Sequence, residues 1–283
     1  MKVLVLGAGG MIGRTMFGVL AQRSCWQVIG CVRAKAFAGP APGPVMTSID
    51  LTNPDHLVHL FHMTRPDVVV NCAGLTKHLP EGNDPVSALT TNALLPHRLA
   101  EHCAIAGARL IHVSTDCVFS GLAGNYREQD VADAADVYGR TKALGEVTGE
   151  NVLTLRTSTI GHENGTSFGL LEWFLAQRQC KGFRHAIFSG LPTVEFARVV
   201  REFVIPKASL SGLYHVGASS IDKLSLLLLI ARIYQKDTTI VADEEFRIDR
   251  SLNVDKFADA TGYRAPAWPD LIETMYQDHL YRK

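Results

Sequence analysis

The sequence predicts an α/β protein whose first part forms a doubly wound parallel sheet. Short apolar, β-branched runs alternate with helical patterns over the first 160 residues. These runs are apolar on both faces, as expected for strands covered by helices on both sides. A glycine-rich turn joins the first strand to the first helix. The alternation weakens after residue 160, so the rest is predicted to form a smaller C-terminal lobe.

The predicted elements follow one another in strand–helix order. Asn53 and Pro54 suit the N-cap and first turn of one helix, and Gly107 suits the end of another. A stretch rich in proline and glycine interrupts the order and is predicted as a loop. The expected order is strand 3–6, helix 11–23, strand 28–32, loop 34–48, helix 54–63, strand 67–71, helix 83–106, strand 110–114, helix 137–149 and strand 152–156.

The remaining residues indicate a second unit. Residues 161–192 have no clean period, whereas 193–204 and 222–235 show amphipathic helical patterns. We expect a first domain of residues 1–160 and a lobe of residues 161–283, with segments of the lobe free to return to the first domain.

Composition limits the partners that can be expected. Lys+Arg and Asp+Glu both number 28, so no global charge favours nucleic acid or a membrane surface. The longest apolar run, 226–231, is far shorter than the ~20 residues needed to span a bilayer. The cysteines form no C-x-x-C pair, which indicates reduced thiols and no metal site. We expect a cytoplasmic protein.

The turn after the first strand has the pattern G-x-x-G-x-x-G, formed by Gly7, Gly10 and Gly13. Glycines at this spacing allow a tight turn, a close approach of backbone to a pyrophosphate, and close packing of helix on strand. Met11 and Ile12 open the helix, whose N-terminus attracts phosphates. The motif predicts a dinucleotide site; a plain strand-to-helix turn is the alternative.

The end of the second strand bears on the choice of cofactor. An NAD-type site would place an acid there, but this chain has Arg33, followed by Lys35. A guanidinium can pair with a 2′-phosphate, so NADPH is favoured, with NADH as an alternative and a solvated surface arginine as the bland interpretation.

Two further segments are candidate cofactor contacts. Asp50, next to Leu51, could accept a hydrogen bond from the adenine amino group or could instead cap the following helix. Cys72, Ala73 and Gly74 follow the third strand, where small residues would let the nicotinamide end pass over the sheet edge. A tight turn without a ligand is the alternative.

Tyr138 and Lys142 form a Tyr-x-x-x-Lys pair on one face of a predicted helix. A nearby ammonium is expected to lower the pKa of the phenol, so that Tyr138 can act as a general acid. Thr115 ends a central strand, where ligands bind in this fold, and could hold a substrate carbonyl. An ordinary exposed Tyr and Lys would be the interpretation if this pair stood alone.

These motifs together resemble the extended short-chain dehydrogenases of Rossmann fold, and within them the dTDP-4-dehydrorhamnose reductase group, over nearly the whole chain. Besides the glycine turn, the resemblance depends on several further segments, in chain order Ser114-Thr115-Asp116-Cys117-Val118-Phe119, Tyr138 to Lys142 with Gly145-Glu146, Arg156-Thr157-Ser158, Gly190-Leu191-Pro192-Thr193, and Arg250-Ser251-Leu252-Asn253.

The resemblance implies that Thr115, Tyr138 and Lys142 form a catalytic triad. It also implies reduction of the 4-keto group of a 6-deoxy sugar on a nucleotide diphosphate, with a lobe that binds this substrate. Cys117 replaces the usual tyrosine, Ser251 replaces a proline, and residues 73–80 look more like enzymes of UDP-N-acetylated sugars. The sugar and the nucleotide, dTDP or UDP, therefore stay open, as does a homodimer.

Two other functional classes remain as alternatives. An epimerase or dehydratase shares the Thr and Tyr-x-x-x-Lys residues, although a dehydratase usually needs a second carboxylate where this chain has Cys117. A non-enzymatic regulatory subunit on the same fold would not need to keep all three catalytic residues. Lys77 and Arg250 are candidate contacts of the sugar or the diphosphate.

Overall fold

A computed structural model describes residues 1–163 and 165–282, and it confirms the doubly wound parallel sheet. All neighbouring strands of this sheet pair in parallel. Its strands are β1 (Lys2–Leu6), β2 (Gln27–Cys31), β3 (Val45–Met46), β4 (Val68–Asn71), β5 (Arg109–Thr115), β6 (Val152–Thr157) and β10 (Gly212–His215). They lie in the seven-stranded order β10-β6-β5-β4-β1-β2-β3.

Helices cover both faces of this sheet. None of the helices within residues 1–163 and 165–282 has the length and hydrophobicity of a membrane-spanning segment. The helices are α1 (Met11–Ala21), α2 (Pro54–Thr64), α3 (Pro80–Asn83), α4 (Pro85–Ala88), α5 (Leu95–Ala106), α6 (Val137–Leu144), α7 (Leu170–Ala176), α8 (Thr193–Val199), α9 (Lys223–Ile233), α10 (Asp255–Thr261) and α11 (Trp268–Arg282), with π-helical turns over Leu89–Leu94 and Val200–Val204 and a 3-10 turn over Asp116–Val118.

Alternate residues of β1 show how the two apolar layers arise. Val3 and Val5 are buried in a core shared with α1 and α8, whereas Leu4 and Leu6 are buried in a second core shared with α2 and α5. Each such side chain contributes roughly 1.5–3 kcal/mol when it is removed from water. Burial on both sides is why the strand runs are continuously apolar.

The chain beyond residue 160 builds a second, smaller sheet. It contains β8 (Gln179–Phe188), β11 (Ile221–Asp222) and β12 (Thr239–Asp249) in the order β11-β8-β12. A short pair, β7 (Thr159–Ile160) and β9 (Leu191–Pro192), precedes α8. Because β10 pairs with β6, this part of the chain also extends the central sheet. Asn164 and Lys283 of the expected lobe lie outside the described residues.

Several boundaries differ from the predicted ones. The helix predicted over 137–149 ends at Leu144, and its C-cap Gly145 packs so closely on the Asn92 carbonyl oxygen that a Cβ would lie 2.0 Å from it. The helix predicted to start at residue 83 already begins at 80 and breaks at Asp84, which caps the next turn. The loop over 34–48 contains β3. The helices predicted over 193–204 and 222–235 are confirmed.

Candidate active site

The glycine turn packs directly on the loop that follows β4. Gly7 has a φ of +72°, and a Cβ on it would lie 2.8 Å from the backbone nitrogen of Ala73. A Cβ on Gly13 would lie 2.1 Å from the Gly7 oxygen. Gly10 is the N-cap of α1 and has no side chain to cap the first turn. The turn therefore presents backbone N–H groups at a helix N-terminus, which suits a diphosphate.

Two neighbouring cavities lie at the carboxyl edge of the central sheet. The larger cavity has a volume of about 590 Å³ and the smaller cavity about 500 Å³, and both are lined by Gly10, Cys72 and Gly74. The other predicted site residues divide between the cavities. The larger cavity is also lined by Met11, Ile12, Thr115 and Tyr138, and the smaller cavity by Gly7, Arg33, Asp50, Leu51 and Ala73. Gly13 and Lys142 are the two predicted site residues that line neither cavity.

The smaller cavity brings Arg33 and Asp50 together. The Asp50 carboxylate accepts hydrogen bonds from the hydroxyl and the backbone nitrogen of Thr52, at 2.7 and 2.9 Å. These bonds lower the pKa of Asp50, and the nearby Arg33 adds to the effect. Asn53 caps α2, so the alternative in which Asp50 is the cap is wrong. Lys35 is exposed and lines neither cavity.

Thr115 and Tyr138 meet in the larger cavity. Thr115 is the last residue of β5, and Tyr138 lies in the first turn of α6, which Asp136 caps by accepting a hydrogen bond from Gly139 at 2.6 Å. The Thr115 hydroxyl lies near enough to the Tyr138 phenol to act on its pKa. Thr115 also accepts a hydrogen bond from the Cys117 nitrogen at 3.1 Å. The two hydroxyls that the sequence pairs therefore converge.

The protonation of Tyr138 differs from the prediction. Burial raises the pKa of Tyr138 above its ordinary value, Cys117 adds to this, and the neighbouring Thr115 hydroxyl opposes it. Lys142 instead donates a hydrogen bond to the Val113 carbonyl at 2.8 Å. The expected lowering of the Tyr138 pKa is thus wrong, because the ammonium is directed at the strand and the phenol lies in a poorly solvated crevice.

The pKa of Lys142 is also shifted from its ordinary value. The side chain is buried beneath the site, and this burial lowers the pKa of Lys142 to about 8, with Glu146 and Cys72 acting in the opposite direction. A lysine in this state can change its charge within the range in which enzymes are assayed.

Sequence reasoning missed two residues of the site. Asn92, in the π-helical turn, accepts a hydrogen bond from the Leu75 nitrogen at 2.8 Å and donates to Thr141 at 3.3 Å, which ties the loop after β4 to α6. Lys223 lines the larger cavity from the start of α9, and its Nζ lies 4.2 Å from the ring centre of Phe188. No sequence motif signals either residue, because the contacts of both depend on the fold.

Among the described residues, no group of three or more His, Cys, Asp or Glu side chains is arranged to hold a metal ion. Lys77 and Arg250, the remaining candidates, both line the larger cavity. Arg250 donates a hydrogen bond from Nε to the Phe119 carbonyl at 2.8 Å. The larger cavity therefore combines hydroxyl donors, basic side chains and the end of the glycine turn.

Comparison with known proteins finds relatives with two kinds of name. The chain is 33% identical over 145 residues to the methionine adenosyltransferase 2 subunit beta of Pongo abelii, an alignment that covers 51% of this chain and 41% of that protein. It is 29% identical over 172 residues to a dTDP-4-dehydrorhamnose reductase of Aggregatibacter actinomycetemcomitans, covering 59% and 54%. The fold matches the dTDP-4-dehydrorhamnose reductase of Bacillus anthracis in complex with NADP, with a TM-score of 0.79, 18% identity, and 98% and 99% coverage.

The first of these relatives is matched over about two fifths of its length, so it does not define an activity for the whole protein. A family model described as the RmlD substrate binding domain, in contrast, matches residues 1–278. The resemblance to dTDP-4-dehydrorhamnose reductases is confirmed at the level of the family. The chain belongs to the RmlD substrate binding domain family.

Proposed function

We propose that this protein is an NADPH-dependent reductase of the 4-keto group of a nucleotide-linked 6-deoxy sugar. The observation that carries the proposal is that the hydroxyls of Thr115 and Tyr138 lie close together in a cavity that also contains Gly10, Met11 and Ile12. A proton donor and a dinucleotide-binding turn in one cavity are the parts that carbonyl reduction requires.

The residues present fit NADPH. A Cβ on Gly7 or Gly13 would clash with neighbouring backbone, so these glycines allow the tight turn that places backbone N–H groups at the start of α1, where a pyrophosphate would bind. Arg33 at the smaller cavity would hold the 2′-phosphate, and Asp50 would hold the adenine. The part of NADPH between its adenine end and its nicotinamide end would lie along Cys72, Ala73, Gly74 and Leu51. When bound, NADPH supplies the hydride for the reduction.

The side chains of the chain supply the rest of the chemistry. Thr115 would donate a hydrogen bond that holds the substrate carbonyl, and Tyr138 would donate its proton to the same oxygen as the carbon is reduced. The raised pKa of Tyr138 keeps the phenol protonated and ready to donate at neutral pH. Lys142, which is buried and lies near Cys72, would hold the nicotinamide ribose and restore the proton to the tyrosine.

We also propose that two parts of the chain bind different ligands. Residues 1–160 would bind the cofactor, and residues 161–283 would form a substrate-binding lobe, in keeping with Lys223 and Arg250 at the larger cavity. The substrate would be a dTDP- or UDP-linked keto-sugar. We infer a cytoplasmic homodimer; the free cysteines agree with a reducing compartment.

The direct test is to follow NADPH absorbance with a panel of dTDP-, UDP- and GDP-linked 4-keto-6-deoxy sugars. At least one of them should oxidise NADPH in equal amount and yield the 4-hydroxy sugar. If none of them consumes NADPH, the reductase proposal fails. Repeating the assay with NADH tests the cofactor choice separately.

A second candidate is a non-catalytic subunit, favoured by the relatives that are named as a subunit of methionine adenosyltransferase. An epimerase or dehydratase is a third candidate, and it would convert a sugar nucleotide without net use of NADPH. Product analysis on the same panel separates these candidates, since a non-catalytic subunit leaves every sugar unchanged.

A further inference from the structure

Basic side chains from separate parts of the chain meet in the larger cavity. Lys77 comes from the loop after β4, Lys223 from the start of α9 and Arg250 from the end of β12. In the part of the chain that the structure describes, none of the three forms a salt bridge. Lys223 lies outside every motif that carries the family resemblance.

The carboxyl groups that line the larger cavity do not fully neutralise its three basic side chains. Asp116 lies near Lys223 and Arg250, but its burial dominates and raises the pKa of Asp116. The second carboxyl group, Glu163, accepts a hydrogen bond from the Gly169 nitrogen at 2.9 Å. The cavity therefore has an excess of positive charge, which favours an anionic ligand.

The basic side chains lie close to the reacting position but do not occupy it. The Sγ atom of Cys117 is 3.8 Å from Nη1 of Arg250, and Cys117 is also the neighbouring group that acts most strongly on Tyr138. Cys117 is thus a neighbour of both the phenol and the guanidinium. A nucleotide sugar whose keto group met Tyr138 would bring its diphosphate into this same cavity as the anionic group.

Lys223 is the member of this cluster that can change its charge. Burial lowers the pKa of Lys223 to about 8, and Lys77 acts in the same direction, whereas Asp116 and Cys117 oppose it. Without a ligand, a large fraction of Lys223 is neutral at pH 8. A bound anion would favour the ammonium, so binding would draw a proton from solution.

We propose that Lys223, with Lys77 and Arg250, binds the diphosphate of the substrate and takes up a proton when it does so. The inference depends on the proposed function only for the identity of the substrate as a sugar nucleotide. It concerns binding, so it can be tested with dTDP and UDP without any turnover.

The test is calorimetric titration of the NADP-loaded protein with dTDP and UDP at pH 8, in two buffers of different ionisation enthalpy. The wild type should take up a fraction of a proton per ligand. Lys223→Met should weaken both dissociation constants by at least ~10-fold, as expected for the loss of one charge-assisted hydrogen bond. Lys181→Met, whose side chain is 68% exposed and paired with Asp243, is the matched control and should change them by less than ~2-fold.

A charge-conserving variant, Lys223→Arg, should keep the binding of both diphosphates but lose the proton uptake, because a guanidinium stays protonated. Unchanged binding in Lys223→Met would overturn the inference. An effect confined to glucuronate, tested as a sugar carboxylate, would overturn it as well. If Lys223 controls diphosphate binding but no keto-sugar oxidises NADPH, the reductase proposal fails and this inference stands.

Discussion

The carboxylate of Glu146 and the guanidinium of Arg156 form a bidentate ion pair beneath the candidate active site, with both N–O distances at 2.7 Å. Ser114 donates a hydrogen bond to the same carboxylate at 2.7 Å. Both charged side chains are buried, at 5% exposure for Arg156 and 10% for Glu146. The pair joins the end of α6 to β5 and β6, so the position of Tyr138 relative to Thr115 depends on it.

Replacing one partner of this pair should destabilise the protein strongly. Glu146→Gln leaves a buried guanidinium without its counter-charge, and we expect the free energy of unfolding to fall by about 3–5 kcal/mol. Denaturant unfolding measures this loss. The control is Glu244→Gln in the pair with Arg184, whose side chains are 70% and 53% exposed; there the change should be about 0–1 kcal/mol. Equal losses in the two variants would contradict the prediction.

Tyr138→Phe should remove the proton donor and leave the fold intact. Turnover should fall by ~10²- to 10⁴-fold, the usual contribution of general acid catalysis, while the dissociation constant for NADPH stays the same. Steady-state kinetics and a fluorescence titration measure the two quantities. Tyr281→Phe, at a side chain that is 88% exposed, serves as the control. A variant with full turnover would exclude Tyr138 as the acid.

The glycine turn makes a prediction from its packing. In Gly13→Ala the new methyl group would meet the Gly7 carbonyl, which cannot move without opening the turn, so stability should fall by about 1–3 kcal/mol or more and NADPH binding should be lost. Gly9→Ala is the matched control, because its Cβ would lie 3.6 Å from Val32, an ordinary contact. Thermal unfolding measures the stability of both variants, and titration with NADPH measures their cofactor binding. Equal effects of the two substitutions would contradict the prediction.

The sequence was most informative where one short segment determines both structure and role. The β1 strand, the turn from Gly7 to Gly13, and the Tyr138–Lys142 spacing are local patterns, and the structure has each on its expected element. Local patterns also located α8 and α9. The pKa of Tyr138 was predicted in the wrong direction, because it depends on burial and on the contact of Lys142 with Val113, and spacing carries no information on either.

Long-range packing explains the rest of what was missed. The β10 strand is recognisable only from its pairing with β6, more than fifty residues earlier in the chain. Lys223 has no motif around it, and its place at the larger cavity follows from how α9 packs on β8. Glu146 and Arg156 belong to two separate segments of the family resemblance, and nothing in the sequence indicates that they form an ion pair. Tertiary contacts of this kind require the fold first.

Arg33→Ala should shift the cofactor preference. The loss of a charge-assisted hydrogen bond to the 2′-phosphate should weaken NADPH binding by ~10- to 100-fold and leave NADH binding almost unchanged. Lys35→Ala should alter neither, since Lys35 lines neither cavity. Parallel titrations with the two cofactors measure the ratio. A uniform loss for NADPH and NADH would mean that Arg33 contacts the adenine or the diphosphate instead.

Activity should fall as the pH rises through about 8. The pKa values of Lys142 and Lys223 are both lowered to about 8 by burial, so each is charged below this pH and loses its proton above it. If both ammonium groups are needed, log kcat/KM should decline with a limiting slope of about −2. A profile that stays flat from pH 7 to above pH 9 would show that neither charge is used.

The decline should not reflect unfolding. A lysine whose pKa is about 8 in the folded protein and ~10.4 in the unfolded chain binds fewer protons when folded, so stability rises with pH between these values.

Lys223→Arg keeps its charge over this range, so its pH profile should decline with a slope of about −1, from Lys142 alone. A slope that stays near −2 in this variant would assign the second titration to a group other than Lys223.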